Sequence, residues 1–281
     1  MKIRHLATCI GVAVCTLTAA MQAPANAFNF KTNYSSDVSG DARWTNNIWL
    51  DSVEFTDEIT GELKIISDFT LVNQVDNVTN DLWTGGNSGA ASVDLGDDAT
   101  IDLGDGNVLT QGIEDPDSDE LSAVLSNKNL NNIVDTEDVG DFAMDLYFHQ
   151  AVDNLFVWER GMNSKMDLQA IDGEGNTIGS LFALSNASTW DNAGYKLTTQ
   201  EIGGTQTVGS LGVSMNDLGV EAPIAGVRVF SRGKDYNGPD WKILGSVAET
   251  QPDSPQDVPE PSAILGLLTI GAISTRRLKL A

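Results

Sequence analysis

Phe142, Met144, Leu146 and Phe148 alternate with Ala143, Asp145 and Tyr147. A period of two buries one face of an extended strand and cannot form the apolar stripe of a helix. The same strand character recurs over residues 48–55, 62–72, 155–160, 166–171, 177–184, 208–215, 224–231 and 241–247. Glycine-rich and Asx-rich segments punctuate these runs, and residues 172–176 (Asp-Gly-Glu-Gly-Asn) read as a hairpin turn. One short helix is expected over 118–125, with Ser118 as its cap. Many short strands with such turns predict an all-β chain. The expected architecture is an antiparallel β-sandwich of jelly-roll, galactose-binding-like type.

The acidic stretch 85–119 interrupts this pattern. It repeats Asp-Leu-Gly-Asp at Asp94–Asp97 and at Asp102–Asp105 and holds few aromatics. It reads as a loop insertion into one sandwich domain spanning 28–250, or as the boundary between two successive sandwiches.

Both ends carry a different composition. Lys2 and Arg4 precede an apolar run from Leu6 to Met21, which stops at Ala25-Asn26-Ala27. A basic start, a short apolar core and a small-x-small site define a secretory signal over 1–27, so cleavage by signal peptidase after Ala27 is expected. Cys9, Cys15 and His5 leave with it, and His149 is the one histidine that stays. A thiolate nucleophile, a disulfide and an imidazole-built zinc site are thereby excluded from the mature chain.

At the other end a polar, proline-rich linker over 251–258 leads to Pro259-Glu260-Pro261, an uncharged apolar stretch to Thr275, and Arg276-Arg277-Leu278-Lys279. The prolines impose an extended approach, and the basic end belongs on the cytoplasmic side of a membrane. The apolar stretch is about 21 Å long as a helix, short of the roughly 30 Å hydrocarbon core unless the basic side chains snorkel. This tail, 259–281, resembles the PEP-CTERM sorting signal, with its proline-bracketed glutamate, transmembrane helix and arginine-rich end. The resemblance implies an exosortase-type transpeptidase as partner, acting near Pro259, Glu260 and Pro261 after transient anchoring in the inner membrane. A short amphipath or a permanent anchor is the plainer alternative.

Three internal segments also resemble a family of exosortase-dependent surface proteins of cyanobacterial type: Asn129-Leu-Asn-Asn-Ile-Val-Asp-Thr-Glu-Asp138, Trp158-Glu-Arg-Gly-Met-Asn-Ser164 and Asn237-Gly-Pro-Asp-Trp241. The likeness runs over about 48–247. It implies location, at the cell surface or in the extracellular matrix, and sorting, but no activity.

The net charge is −24, and the two end segments remove five of the 16 Lys and Arg but one of the 40 Asp and Glu. Such a surface repels nucleic acid and anionic lipid. It can attract calcium: Asp115, Asp117 and Asp119 alternate like the opening of a calcium loop, although Glu120 and Ser126 stand where an EF-hand needs glycine and glutamate. Asp94, Asp97, Asp102 and Asp105 could form a looser site, and solvated acidic surface is the alternative.

Ser88, between Gly86 and Gly89, has no base beside it in sequence other than a distant His149, so a hydrolytic triad is not expected. Glu159 and Arg160 read as a structural anchor at a strand end, before the turn at Gly161. Trp190, Tyr195, Tyr236 and Trp241 lie in or beside polar loops, where rings can stack on sugar faces or cover a core edge. The expectation is a non-enzymatic protein that adheres to exopolysaccharide or a neighbouring protein. The alternatives are an extracellular polysaccharide hydrolase and a calcium-stiffened coat component.

Overall fold

A single strand sets the architecture, and it is longer than its sequence suggests. The computed structural model describes residues 27–57, 60–80, 92–94, 101–102, 108–109, 113, 116–136, 140–184, 187–199 and 204–248. The described residues from Ala27 to Ala248 belong to one compact unit. In chain order the strands are β1 (Lys31–Ser36), β2 (Ile48–Thr56), β3 (Leu63–Ile66), β4 (Phe69–Thr70), β5 (Val72–Asn80), β6 (Ser92–Asp94), β7 (Ile101–Asp102), β8 (Val108–Leu109), β9 (Ile133–Asp135), β10 (Asp141–Arg160), β11 (Met166–Ile171), β12 (Phe182–Leu184), β13 (Asp191–Leu197), β14 (Gln206–Ser214), β15 (Ile224–Arg232) and β16 (Asp240–Val247). One helix, α1 (Ser118–Leu125), precedes β9. All pairings among the described residues are antiparallel, so the described fold is all-β and sandwich-like.

β10 exchanges neighbours halfway. Its first half pairs with β15 and β5, and β11 and β12 extend that sheet beyond β15. Its second half pairs with β14 and β16 instead, and β13, β4, β9 and β6 extend from those two. The register is irregular between Tyr147 and Val152. His149 lies there, exposed, with its backbone N–H donating to Leu71 O at 3.0 Å. Such an irregularity lets a strand bend from one sheet into another.

The two sheets close over one core, which holds Met144, Leu146, Val227 and Val229 from the first and Leu155, Val157, Leu211 and Ile243 from the second. The second sheet is covered on its other face as well. There Phe156, Trp158 and Leu244 pack against Phe28, Phe30, Leu50, Val53 and Phe55, brought by β1, β2 and the chain before them. This middle position explains why residues 155–160 are all buried, whereas the first half of β10 alternates. Gly212 belongs to the same interface: a methyl group there would overlap the Phe28 ring, and residues 28 and 212 exchange two backbone hydrogen bonds of 2.9 Å.

The helix falls where the sequence places it, but its cap is Asp117 and not Ser118. Asp117 Oδ1 accepts from the backbone N–H groups of Asp119 and Glu120, both at 2.9 Å, and the Glu120 carboxylate accepts from Asp117 N. Leu121, Val124 and Leu125 enter the main core. At the far end the buried Lys242 ammonium donates to Val124 O at 2.6 Å and to Asn127 Oδ1 at 3.2 Å. A cation suits the negative end of the helix dipole, while burial pulls the Lys242 pKa well below its usual value.

Candidate ligand-binding face

The first sheet turns its second face outward, and polar chemistry gathers there. Cross-strand register sets Thr79, Ala143, Phe230 and Asp167 in one transverse row, and Asp145, Arg228 and Gln169 in the next. Asp145 is fully buried, yet its carboxylate is satisfied: Arg228 Nε and Nη2 donate to its two oxygens at 2.5 and 2.7 Å. Asn77 Nδ2 adds a third bond, 2.7 Å to Asp145 Oδ2. A bulge makes this reach feasible. Asn77 and Val78 together oppose the single step from Ala143 to Asp145, and Asn77 takes the left-handed φ of 53° that Asn tolerates better than most residues.

Tyr147 continues the face towards the 172–176 turn. Burial, followed by the nearby Asp145 carboxylate, pushes its phenol up. Arg228 Nη2 also approaches Gly175 O at 3.5 Å, which ties the turn to the sheet. On the other side Asp167 accepts from the Tyr236 hydroxyl at 2.9 Å and pairs with Arg232 at 3.0 Å. Burial raises the Asp167 carboxyl despite these partners. The Arg232 guanidinium lies 5.1 Å from the centre of the Phe230 ring.

These side chains enclose a shallow depression of about 380 Å3, lined by Thr79, Ala143, Gln169, Arg228, Phe230 and Arg232. Ala143 is its low point, because the small side chain stands between Thr79 and Phe230 in the row. Arg228 Nη1 and the Gln169 side-chain amide have no partner among the described residues. The site therefore offers a half-exposed aromatic ring beside free amide and guanidinium donors on a rigid sheet, an arrangement that suits polyhydroxylated ligands. A second cleft, of about 270 Å3, lies at Phe28, Phe55 and Met215 under a rim of Asp57, Asp153 and Glu221.

The aromatic residues singled out from the sequence are mostly elsewhere. Trp190, Tyr195 and Trp241 are buried at 4%, 1% and 0% exposure. Their polar sequence neighbours misled, because a loop or strand end can carry polar residues while its ring points inward. Trp190 donates to Ser164 O at 2.8 Å, and Trp241 sits in the middle layer beside Glu159. None of the three can stack on a sugar, so the platform expected there is withdrawn. Tyr236 alone borders the depression, through Asp167 and Arg232.

The motif at the end of β10 is structural, but its two charges part company. Arg160 donates to Asp240 Oδ2 at 2.6 and 3.1 Å and to Thr199 Oγ1 at 2.6 Å. Glu159 points to the opposite face, next to the Ser164 hydroxyl and the backbone N–H groups of Met162 and Asn163. Neither of its oxygens completes a hydrogen bond of ordinary geometry. Burial, then the Asp240 charge, raises its carboxyl well above the usual range. Segments 129–138, 158–164 and 237–241 meet here: Asp135 pairs with Asp240, Thr136 donates to Pro239 O at 2.7 Å, and Arg160 binds the same Asp240.

Of the acids considered for calcium, Asp117 is occupied as a helix cap and Asp119 lies in the first turn. Asp94 and Asp102 fall in β6 and β7, while Asp97, Asp105 and Asp115 lie outside the described residues. No group of three or more His, Cys, Asp or Glu able to hold a metal occurs among the described residues. Ser88, Ala25 and the Pro259, Glu260 and Pro261 segment also lie outside them. No helix among the described residues is long and apolar enough to cross a membrane. The chain matches no protein-family model, no curated protein and no solved structure.

Proposed function

We propose that this chain is an exported surface protein of the PEP-CTERM type, trimmed by signal peptidase and an exosortase. Its jelly-roll-like sandwich acts as a non-catalytic module that binds polysaccharide at the cell surface or in the matrix. The binding half of this reading is carried by one observation: Arg228 Nη1 and the Gln169 amide, without partners among the described residues, flank the partly exposed Phe230 ring around a depression that Ala143 lines. A binding role is favoured over hydrolysis because the exposed Asp141 would need a second carboxyl as partner, and of its neighbours Asp145 has both oxygens engaged while Asp167 is buried under Tyr236 and Arg232. General acid–base work needs a carboxyl that can reach substrate.

The sorting half rests on the order of signal, linker, Pro-Glu-Pro, apolar stretch and basic end. Replacing Pro259, Glu260 and Pro261 together is expected to leave unprocessed protein in the membrane fraction, read by immunoblot. Normal trimming of that variant would refute exosortase sorting. For binding, a glycan array probed with the protein should give discrete hits that Phe230→Ala abolishes.

A further inference from the structure

Resting on that reading, we infer that the sheet face selects neutral glycans over uronic or sulfated ones. Asp141 lines the depression, Asp145 and Asp167 flank it in the register rows, and Asp76 and Asp172 lie farther along the same face near Tyr147. Two cations, Arg228 and Arg232, stand against them, and each is already paired with an aspartate. The local balance is therefore negative, on a chain whose net charge is −24. A sugar carboxylate brought to Arg228 Nη1 would gain one charge-assisted bond, but it would meet the field of the neighbouring acids at separations inside the Debye length.

A neutral hexose avoids that repulsion. Its hydroxyls both donate and accept, and the site offers both kinds of partner. Arg228 Nη1 and the Gln169 amide nitrogen donate, the Gln169 amide oxygen accepts, and Thr79 at the rim can do either. The Phe230 ring supplies an apolar wall for the C–H face of the sugar. The paired Asp145 and Arg228 hold the donor in place, and the exposed Asp141 at the edge adds a further charge against an anionic sugar.

The test uses the full chain in buffer with EDTA, titrated with soluble neutral glucan and mannan and, in parallel, with polygalacturonate and a sulfated glucan of matched length. Neutral chains are expected to bind, with affinity nearly flat between about 50 and 200 mM salt, since no phosphate-like counterion release is involved. Gln169→Ala and Phe230→Ala, which leave the Asp145–Arg228 pair intact, should each weaken that binding about tenfold, equivalent to about 1.4 kcal/mol. Tighter binding of either anionic chain, or an affinity that collapses with salt, overturns the inference while leaving a glycan module standing. Unchanged neutral binding by both variants also overturns it, by placing the seat elsewhere. Failure of every glycan to bind removes the underlying reading itself.

Discussion

The two halves of β10 place the same strand in opposite surroundings. Residues 141–148 bury one face and offer the other to solvent, whereas residues 155–160 are enclosed on both. In the first half a buried carboxylate, Asp145, is held by three hydrogen bonds and lies under a partly exposed arginine. In the second half Glu159 has no completed bond, and Arg160 is enclosed with Asp240. Polar groups near a sheet surface can be recruited for recognition. The same groups in a middle layer become part of the stability balance, because desolvation there is not relieved by water.

The contrast can be broken most directly at Arg160. Arg160→Ala strands Asp240 in the interior, and urea denaturation should show a loss of about 3–5 kcal/mol, the usual cost of removing one partner of a buried ion pair. A loss no larger than that of a surface pair would contradict the enclosed character of the second half. Asp145→Asn is expected to cost less, about 1–3 kcal/mol, because it weakens charge-assisted hydrogen bonds but leaves Arg228 able to turn towards solvent. If this change proves as costly as Arg160→Ala, the two halves are energetically alike.

The smallest effect should have the opposite sign. Glu159 has a folded-state pKa raised by burial, so between the unfolded value near 4.5 and the raised one the native state holds a proton that the unfolded chain has released. Stability then falls as pH rises through that window, and below it the effect vanishes. Glu159→Gln removes this dependence. Thermal melts should therefore show the variant modestly more stable than the parent near pH 7 and indistinguishable from it near pH 4. Equal melting curves at both pH values would mean that Glu159 ionises freely in the folded protein.

Much of the first half was readable in advance, because Phe142 to Phe148 alternate cleanly and period two needs no tertiary information. The continuity of β10 was not. His149, Gln150 and Ala151 look like a loop, and only the exchange of neighbouring strands keeps them extended. β13 carried a signal that polar composition hid: Ala193, Tyr195 and Leu197 are buried, alternating with exposed Asn192, Gly194 and Lys196. The binding face was half legible. Arg228, Phe230 and Arg232 alternate with Val227, Val229 and Ser231 along one strand, but their meeting with Ala143 and Gln169 depends on long-range register. Loop tryptophans drew attention instead, and no local pattern tells a ring that faces solvent from one that folds back.

The contact between Phe28 and Gly212 has a practical meaning for anyone handling the protein. Phe28 stacks on Phe55 at 4.6 Å between ring centres and meets Phe156 edge-on, so the residue right after the expected signal cleavage is a keystone. Phe28 is the first buried side chain among the described residues. Affinity tags and fusion partners can be attached ahead of Ala27, but clipping even one residue past it removes an aromatic plug and opens the interior from that side. Exoprotease digestion is accordingly expected to slow at Phe28, and loss of that ring to lower the melting temperature.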